Sequence, residues 1–171
     1  MLIERKVDER RLVMRLLAYW RGILPENGFP PTSLVDPHAL GDIWPTCFVL
    51  QFPDESAEPV FCKAGHAIAV TIDGDFEGMR VSALSHESLA EHATFFADEV
   101  RARKVPITRG GAFSDPQGVI QLFRSILLPL GDETGRIEGL LGGASCRRIS
   151  EKNEELVYHA AATNLRVKVG A

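Results

Sequence analysis

Two histidines and a glutamate are the first residues whose types suggest metal chemistry. His86-Glu87 and His92 lie in a segment with helical periodicity. A zinc-protease helix spaces its histidines so that both face one metal ion, four residues apart. These two histidines are six residues apart, which places them on different faces of a helix. We therefore predict solvated polar side chains at these positions and no metal site.

Three cysteines are the next candidates for reactive groups. Cys47, Cys62 and Cys146 form an odd set with wide spacing, which is typical of reduced thiols in a cytoplasmic protein. Cys47 and Cys62 fall on predicted strands, where thiols usually belong to the core. A cysteine nucleophile needs a neighbouring base, and strand geometry gives no reason for His66 to meet Cys62. We predict no catalytic residue.

Two arginines on predicted strands could bind an acidic ligand. Arg124 lies among leucines, where a guanidinium must find an acceptor or reach the edge of the sheet. One interpretation is structural, with the stem packed on the sheet and the head at its edge or paired with a carboxylate. The other interpretation is an anchor for an acidic ligand. Arg109, on a neighbouring strand, has the same two interpretations.

The bulk properties indicate a soluble protein of one domain. The chain has 171 residues, which is enough to bury a core, and a formal net charge of −4. This charge gives no general attraction to nucleic acid or to anionic lipid. The charged N-terminus, Arg15 and Arg21 argue against a signal peptide and a membrane span. We expect a cytoplasmic protein without nucleic-acid binding or membrane insertion.

The second half of the chain predicts a long β-hairpin. Residues 118–147 form two apolar runs joined by the sequence GDETG at 131–135, which tolerates a tight or left-handed backbone. The first run alternates between two largely apolar faces, so other elements must cover both sides of the sheet. Gly139, Gly142 and Gly143 in the second run leave room for another backbone or a ligand.

The other elements follow from periodicity. An amphipathic helix from about Glu9 to Gly22 carries a wide apolar stripe, and Asp36 can cap a short helix that begins at Pro37. The further elements are, in chain order, strands Cys47–Phe52 and Val60–Ala64, a short helix His66–Asp73, a long helix Ser85–Lys104 capped by Ser85, and strands Ile107–Phe113, Val119–Leu130 and Ile137–Cys146. This order predicts an α+β fold with a five-stranded antiparallel sheet.

A series of short motifs occurs in a specific order between about Leu12 and Arg147. The motifs are Tyr19-Trp20, Asp36-Pro37, Trp44-Pro45, Ala64-Gly65, Gly78-Met79-Arg80, the segment LLPLGDETGR that starts at Leu127, and Leu140-Leu141-Gly142-Gly143-Ala144. In this order they resemble the small single-domain PAS proteins of bacteria. The resemblance implies a PAS fold, in which helices across one face of the sheet enclose a pocket and a further helix flanks the domain at its N-terminus.

The resemblance also implies a sensory function. Such proteins sense a small ligand or bind a signalling protein, such as a sensor kinase or a response regulator, and often dimerise through the preceding helix. The family supplies no catalytic residues. The cofactor stays unknown, because this sequence lacks the flavin-adduct cysteine motif of light-sensing members and has no histidine in a haem-binding signature.

The width of the apolar stripe on the first helix has two interpretations: it packs on the sheet of its own chain, or part of it pairs with a second copy. The predicted sites combine such residue patterns with the resemblance. The predicted ligand-binding residues are Arg124, Arg109, Phe76 and Phe96, and the predicted homodimer interface on the first helix consists of Leu16, Tyr19, Trp20 and Ile23. The predicted parts are a helix at 1–24, a PAS domain at 25–147 and a tail at 148–171. In the tail, Ser150 can cap a helix, and the alternation of Leu165, Val167 and Val169 is typical of a short strand.

Two classes of function stay open. The first is a sensor or adaptor without an output domain of its own, since no kinase, cyclase or DNA-binding module fits in the remaining residues. The second is a small enzyme that acts on an acidic metabolite in the pocket. An enzyme should show converging titratable residues, whereas a sensor should show an apolar cavity with few polar groups. We favour the first class because no nucleophile–base pair can be located.

Overall fold

A five-stranded antiparallel sheet forms the centre of the structure, as predicted. The computed structural model describes residues 2–149, with side chains from Arg11 onward. The strands are β1 (Cys47–Gln51), β2 (Val60–Ala64), β3 (Ile107–Ser114), β4 (Ile120–Gly131) and β5 (Ile137–Arg148), in the spatial order β2-β1-β5-β4-β3. The helices are α1 (Leu2–Gly22), α2 (Pro37–Leu40), α3 (His66–Ala69), α4 (Leu89–Thr94) and α5 (Ala97–Arg103). The predicted tail elements lie outside the described residues.

The sheet is covered on both faces, because β4 alternates apolar residues between them. Phe123 and Leu127 belong to the cluster that α3, α4 and α5 cover, which we call the inner face. Ile126, Leu128 and Leu130 belong to the cluster that α1 and the connector before β1 cover, which we call the outer face. The two apolar faces of the predicted hairpin are therefore confirmed as two separate halves of the core.

Helix α1 packs on the outer face through one stripe of large side chains. Leu12, Leu16 and Trp20 are buried and recur every four residues. The Trp20 Nε1 donates a hydrogen bond to the carbonyl oxygen of Pro129 at 2.8 Å. The lack of a side chain at Gly143 lets α1 approach β5 closely, because a Cβ atom there would lie 2.7 Å from Leu16 Cδ2. No helix in the described part of the chain is long and apolar enough to cross a membrane.

The predicted helix Ser85–Lys104 is wrong in its start and in its continuity. Glu87 adopts a left-handed backbone with φ of 68°, which keeps the preceding residues out of the helix. Ser88 caps α4 instead of the predicted residue, since its Oγ accepts a hydrogen bond from Glu91 N at 3.1 Å. Phe96, with φ of −100° and ψ of 17°, then separates α4 from α5. Local backbone geometry overrides the periodicity that predicted one helix.

The boundaries of the other elements differ less. The strand ends agree with prediction within two residues, and the predicted cap of α2 is confirmed by a hydrogen bond from His38 N to Asp36 Oδ1 at 2.9 Å. Helix α1 begins at Leu2 rather than near Glu9, because neither glycine nor proline interrupts the intervening residues. Helix α3 ends at Ala69, short of the predicted Asp73.

The hinge between β4 and β5 is held by one carboxylate. Asp132 Oδ1 accepts hydrogen bonds from Thr134 N at 2.9 Å, from Thr134 Oγ1 at 2.6 Å and from Arg136 N at 3.2 Å. Gly135 has a φ of 82°, which favours glycine. The hydrogen bond from the Thr134 hydroxyl is the main reason that the pKa of Asp132 lies below its ordinary value.

Acid should weaken this hinge. Because the pKa of Asp132 is lowered in the folded state, its carboxylate contributes stability above the ordinary aspartate pKa of about 3.9, and this contribution is lost as the pH falls through the lowered value. We expect the free energy of unfolding of Asp132→Asn to fall less steeply below about pH 4 than that of the unmodified chain. Urea unfolding at a series of pH values measures this difference, and parallel pH profiles would contradict it.

Candidate functional site

Apolar side chains occupy the inner face, where the PAS resemblance places a pocket. Phe48 on β1 and Phe61 on β2 are fully buried, and their ring centroids are 5.6 Å apart. Gly142 on β5 makes room for the first ring, because a Cβ atom there would lie 2.2 Å from Phe48 Cζ. Leu127 and Leu140 extend this surface beneath α4 and α5. The inner face is therefore an aromatic and aliphatic surface set against short helices.

Arg109 lies at the edge of the inner face with its charge balanced inside the chain. Its Nη2 donates to Glu99 Oε2 on α5, and Arg103 donates to the other carboxylate oxygen at 2.9 Å. These hydrogen bonds, that of Arg103 first, lower the pKa of Glu99. The guanidinium carbon of Arg109 lies 5.5 Å from the ring centroid of the buried Phe96, within cation–π range. Two predicted ligand-binding residues, Arg109 and Phe96, therefore meet.

Ser125 is a buried polar residue of the same face. It lies opposite Arg109 in the ladder of β3 and β4, and opposite Ala144 in the ladder of β4 and β5. The residue is fully buried, and no described residue forms a hydrogen bond with its Oγ. A buried hydroxyl without a partner costs about 1–3 kcal/mol, so a polar ligand group beside it would recover this free energy.

His92 packs on two phenylalanines instead of pointing into solvent. Its ring centroid lies 4.5 Å from that of Phe113 and 5.1 Å from that of Phe123. Burial lowers the pKa of His92. The prediction of a solvated side chain is therefore wrong for His92, because α4 turns this residue towards the sheet. His86 is exposed, with its Nδ1 2.7 Å from Glu91 Oε1.

A cleft of about 440 Å³ opens beside this aromatic cluster. Its walls come from residues 70–73 and 85–89 and from the ends of β3, β4 and β5. Asp115 in this wall accepts hydrogen bonds from Gln121 Nε2 at 3.0 Å and from Val119 N at 2.9 Å, so its carboxylate shapes the turn between β3 and β4. The hydrogen bond from Gln121 is the main cause that lowers the pKa of Asp115.

The other two predicted ligand-binding residues lie elsewhere. Phe76 is half-buried against the inner cluster, in a segment where Gly78 N donates to Phe61 O at 2.8 Å. Arg124 is half-buried on the outer face of β4, in the same alternation as Ile126 and Leu128. The sheet separates Arg124 from Arg109, so these two arginines cannot contact one ligand.

The α1 residues predicted at a dimer interface fall into two groups. Leu16 and Trp20 are 0% and 6% exposed, because they pack on the sheet of their own chain. Tyr19 and Ile23 are half-buried, and the Tyr19 hydroxyl donates to Leu34 O of the connector at 3.1 Å. Leu16 and Trp20 are therefore core residues, and an interface on α1 must use another flank.

An apolar surface is exposed on the opposite flank of α1. Arg15 and Tyr19 contact the connector, so the residues half a turn away lie on the flank opposite the connector. Met14 on that flank is 63% exposed, and Leu24, just beyond the end of α1, is 38% exposed. The outer-face residues of β3, Thr108, Gly110 and Ala112, are also exposed. We define the outer patch by the residues Val13, Met14, Leu17, Leu24, Thr108, Ala112, Leu122 and Arg124.

Cys47 lies in the core, as predicted, whereas Cys62 is half-buried against the outer-face cluster. Burial raises the pKa of the Cys47 thiol to about 12 and also raises the pKa of Cys62. A thiol that stays protonated is a poor nucleophile. Cys146 near the end of β5 is exposed and contributes to the wall of the inner-face cleft.

Comparison with protein-family models decides the assignment. The model of a PAS domain matches residues 9–144, from within α1 to within β5. The chain belongs to the PAS domain family. This match confirms the predicted family and, with the observed sheet, the α+β PAS fold. PAS domains are sensory domains whose general role is to bind a ligand or a partner.

Similar solved structures are also PAS and LOV domains. The LOV domain of the blue-light photoreceptor Aureochrome1 is 15% identical over 79% of this chain and 96% of that chain, with a TM-score of 0.48. The PAS domain of Bordetella pertussis BvgS is 21% identical over 70% of this chain and 88% of that chain, with a TM-score of 0.44. At these identities the similarity concerns the fold alone. The comparison with curated proteins found no match.

Two residues of this site, Ser125 and His92, were not among the predicted site residues. Ser125 could have been found, because strand alternation places it between Phe123 and Leu127 on the inner face. The contact of His92 with Phe113 could not have been found from the sequence, because it depends on how α4 is oriented against the sheet.

Proposed function

We propose that this PAS domain is a sensory or adaptor module that works as a homodimer and passes its signal to a separate signalling protein, such as a sensor kinase or a response regulator. The outer patch is the observation that carries this proposal. An exposed apolar surface on a protein of this kind usually marks an interaction site. Because the patch combines α1 with β3 and β4, a partner bound there contacts the same sheet that carries the inner face.

We infer that the occupant of the outer patch is a second copy of the chain. In a twofold dimer the α1 flank of one copy would lie on the exposed outer face of β3 and β4 of the other, so each patch covers its equivalent. Arg124 forms no hydrogen bond or ion pair with any described residue. Its guanidinium is therefore open to an acceptor on the second copy.

The inner face is the proposed ligand side of the module. Arg109 and Phe96 meet there, and the Ser125 hydroxyl lies opposite Arg109 without a partner among the described residues. A small ligand with an apolar body and one polar group matches this combination. Ligand on one face of the sheet and partner on the other would be coupled through β3 and β4.

The double variant Met14→Glu/Leu24→Glu tests the dimer. Both side chains are exposed, so the free energy of unfolding should change by less than about 1 kcal/mol. Four charges brought together in a twofold interface should raise the dimer dissociation constant at least about tenfold, which corresponds to about 1.4 kcal/mol. Sedimentation equilibrium over a micromolar concentration range measures this change.

Val70→Glu is the matched control, because Val70 is 80% exposed and lies on the inner-face side of the domain. It should leave the dimer dissociation constant unchanged. Equal weakening by the control, or an unweakened dimer in the double variant, would place the interface away from the outer patch.

A further inference from the structure

A second cleft lies on the outer side, at the end of the sheet remote from the hinge. Its volume is about 520 Å³. Residues of α1, the connector, the start of β4 and the end of β5 form its walls. Leu12 and Ile43 are buried and make part of its floor apolar. The cleft therefore combines an apolar floor with a polar rim.

The rim of this cleft is basic. Arg11, Arg15, Arg147 and Arg148 line it, in a chain whose net charge is −4. Asp42 also lines the cleft, and its Oδ2 already accepts a hydrogen bond from Arg15 Nη1 at 2.9 Å. That hydrogen bond lowers the pKa of Asp42. The concentration of positive charge selects an occupant that carries carboxylates.

Ser145 adds a buried donor to the cleft. Its Oγ is buried, and no described residue forms a hydrogen bond with it. A hydroxyl can donate to a carboxylate oxygen, as the guanidinium groups around it can. The cleft thus offers a carboxylate both charge and a neutral hydrogen bond.

Acidic residues follow the end of β5 in the sequence. Strand β5 ends at Arg148, and Ile149 N donates to Ile120 O at 3.1 Å, so the chain leaves the sheet beside the cleft. Glu151, Glu154 and Glu155 follow within a few residues. An extended chain spans about 3.3–3.6 Å per residue, so these three carboxylates can reach the rim. A segment tethered this closely has an effective concentration of about millimolar or more.

We propose that residues 151–155 bind in this basic cleft through the carboxylates of Glu151, Glu154 and Glu155. The bound segment joins the end of β5 to α1. An acidic segment of a signalling partner would have to displace it, so the tail acts as an internal competitor for the cleft. This inference does not depend on the proposed dimer or on the inner-face ligand.

Hydrogen–deuterium exchange of the full chain tests the inference. In low salt we expect the amides of residues 151–158 to exchange at least about tenfold more slowly than an unstructured chain, and this protection should be lost in about 1 M salt. Arg147→Glu/Arg148→Glu should abolish the protection, and the added changes Glu154→Arg/Glu155→Arg should restore it. Arg136→Glu, at the hinge end of the sheet, is the control and should leave the protection unchanged.

A second variant distinguishes loss of binding from disruption of β5 by the arginine substitutions. Glu151→Gln/Glu154→Gln/Glu155→Gln changes residues beyond the strands and should also abolish the protection. Unprotected amides in the unmodified chain would overturn the inference. Protection that survives both high salt and this variant would also overturn it. Citrate carries carboxylates, so citrate bound in the cleft should displace the segment; unchanged exchange of residues 151–158 with citrate bound would overturn the inference as well.

Discussion

Replacement of Leu128 with alanine should lower the free energy of unfolding by about 2–5 kcal/mol. Leu128 is fully buried on the outer face and lies opposite Leu141 in the ladder of β4 and β5. The substitution removes buried apolar surface and leaves a cavity between the sheet and α1. Hydrogen bonds to both neighbouring strands hold β4 in place, so the site cannot easily collapse around the smaller side chain.

Chemical denaturation of the full chain measures this loss, with Leu34→Ala as the control. Leu34 is an exposed leucine of the connector, and its truncation should change the free energy of unfolding by about 0.5 kcal/mol or less. A loss below about 1 kcal/mol for Leu128→Ala, on the scale of surface changes, would contradict the outer-face core described above.

Introduction of a methyl group at Gly142 should also destabilise the domain, by about 1–3 kcal/mol or more. The new Cβ atom would lie 2.2 Å from Cζ and 2.3 Å from Cε2 of Phe48. That ring is fully buried and packs against Phe61, so it cannot move aside without displacing other core residues. The change acts on the inner face, whereas Leu128→Ala acts on the outer face.

Gly22→Ala is the matched control for Gly142→Ala. Gly22 is the last residue of α1, and a Cβ atom there would have no heavy atom within 4 Å. Alanine favours the helix over glycine by roughly 0.5–1 kcal/mol, so this variant should be as stable as the unmodified chain or more so. Comparable losses for both variants would show that Gly142 is not a packing position.

The hairpin of β4 and β5 shows how much of the fold follows from local sequence. Alternation assigned Leu127 and Leu128 to opposite faces correctly, because a strand has only two sides and both had to be covered. The turn at residues 131–135 was also predictable, since glycine and aspartate have specific backbone roles there. The break between α4 and α5 was not predictable, because periodicity continues across Phe96 while the backbone does not.

The candidate site was less predictable than the fold. Strand phase puts Arg109 and Arg124 on opposite faces, but their distance from Glu99 or from the α1 flank depends on tertiary packing. The same holds for Trp20. A wide apolar stripe indicates that the helix packs against something, but it does not show which of its residues contact the sheet of the same chain. Once Leu16 and Trp20 are placed in the core, Met14 is an exposed apolar residue of the described part of α1, and Leu24 is another just beyond the end of the helix.

We expect ligand and partner to act on the two sides of one sheet. The inner face carries Ser125 and Arg109, and the outer face carries Arg124. Strand β4 contributes residues to both, so a shift of this strand would be felt on each side. Variants on the inner face should therefore change partner binding on the outer face, and variants on the outer face should change ligand binding on the inner face. An enzyme would instead require converging titratable groups at one site.

Native mass spectrometry of the full chain, purified from its own host, tests the central claim most directly. It reports oligomeric state and bound molecules in one measurement. We predict a species of twice the chain mass that carries a small molecule or a signalling protein. A bare monomer at high micromolar concentration, without ligand or partner, would contradict the account of this PAS domain as a dimeric sensory module.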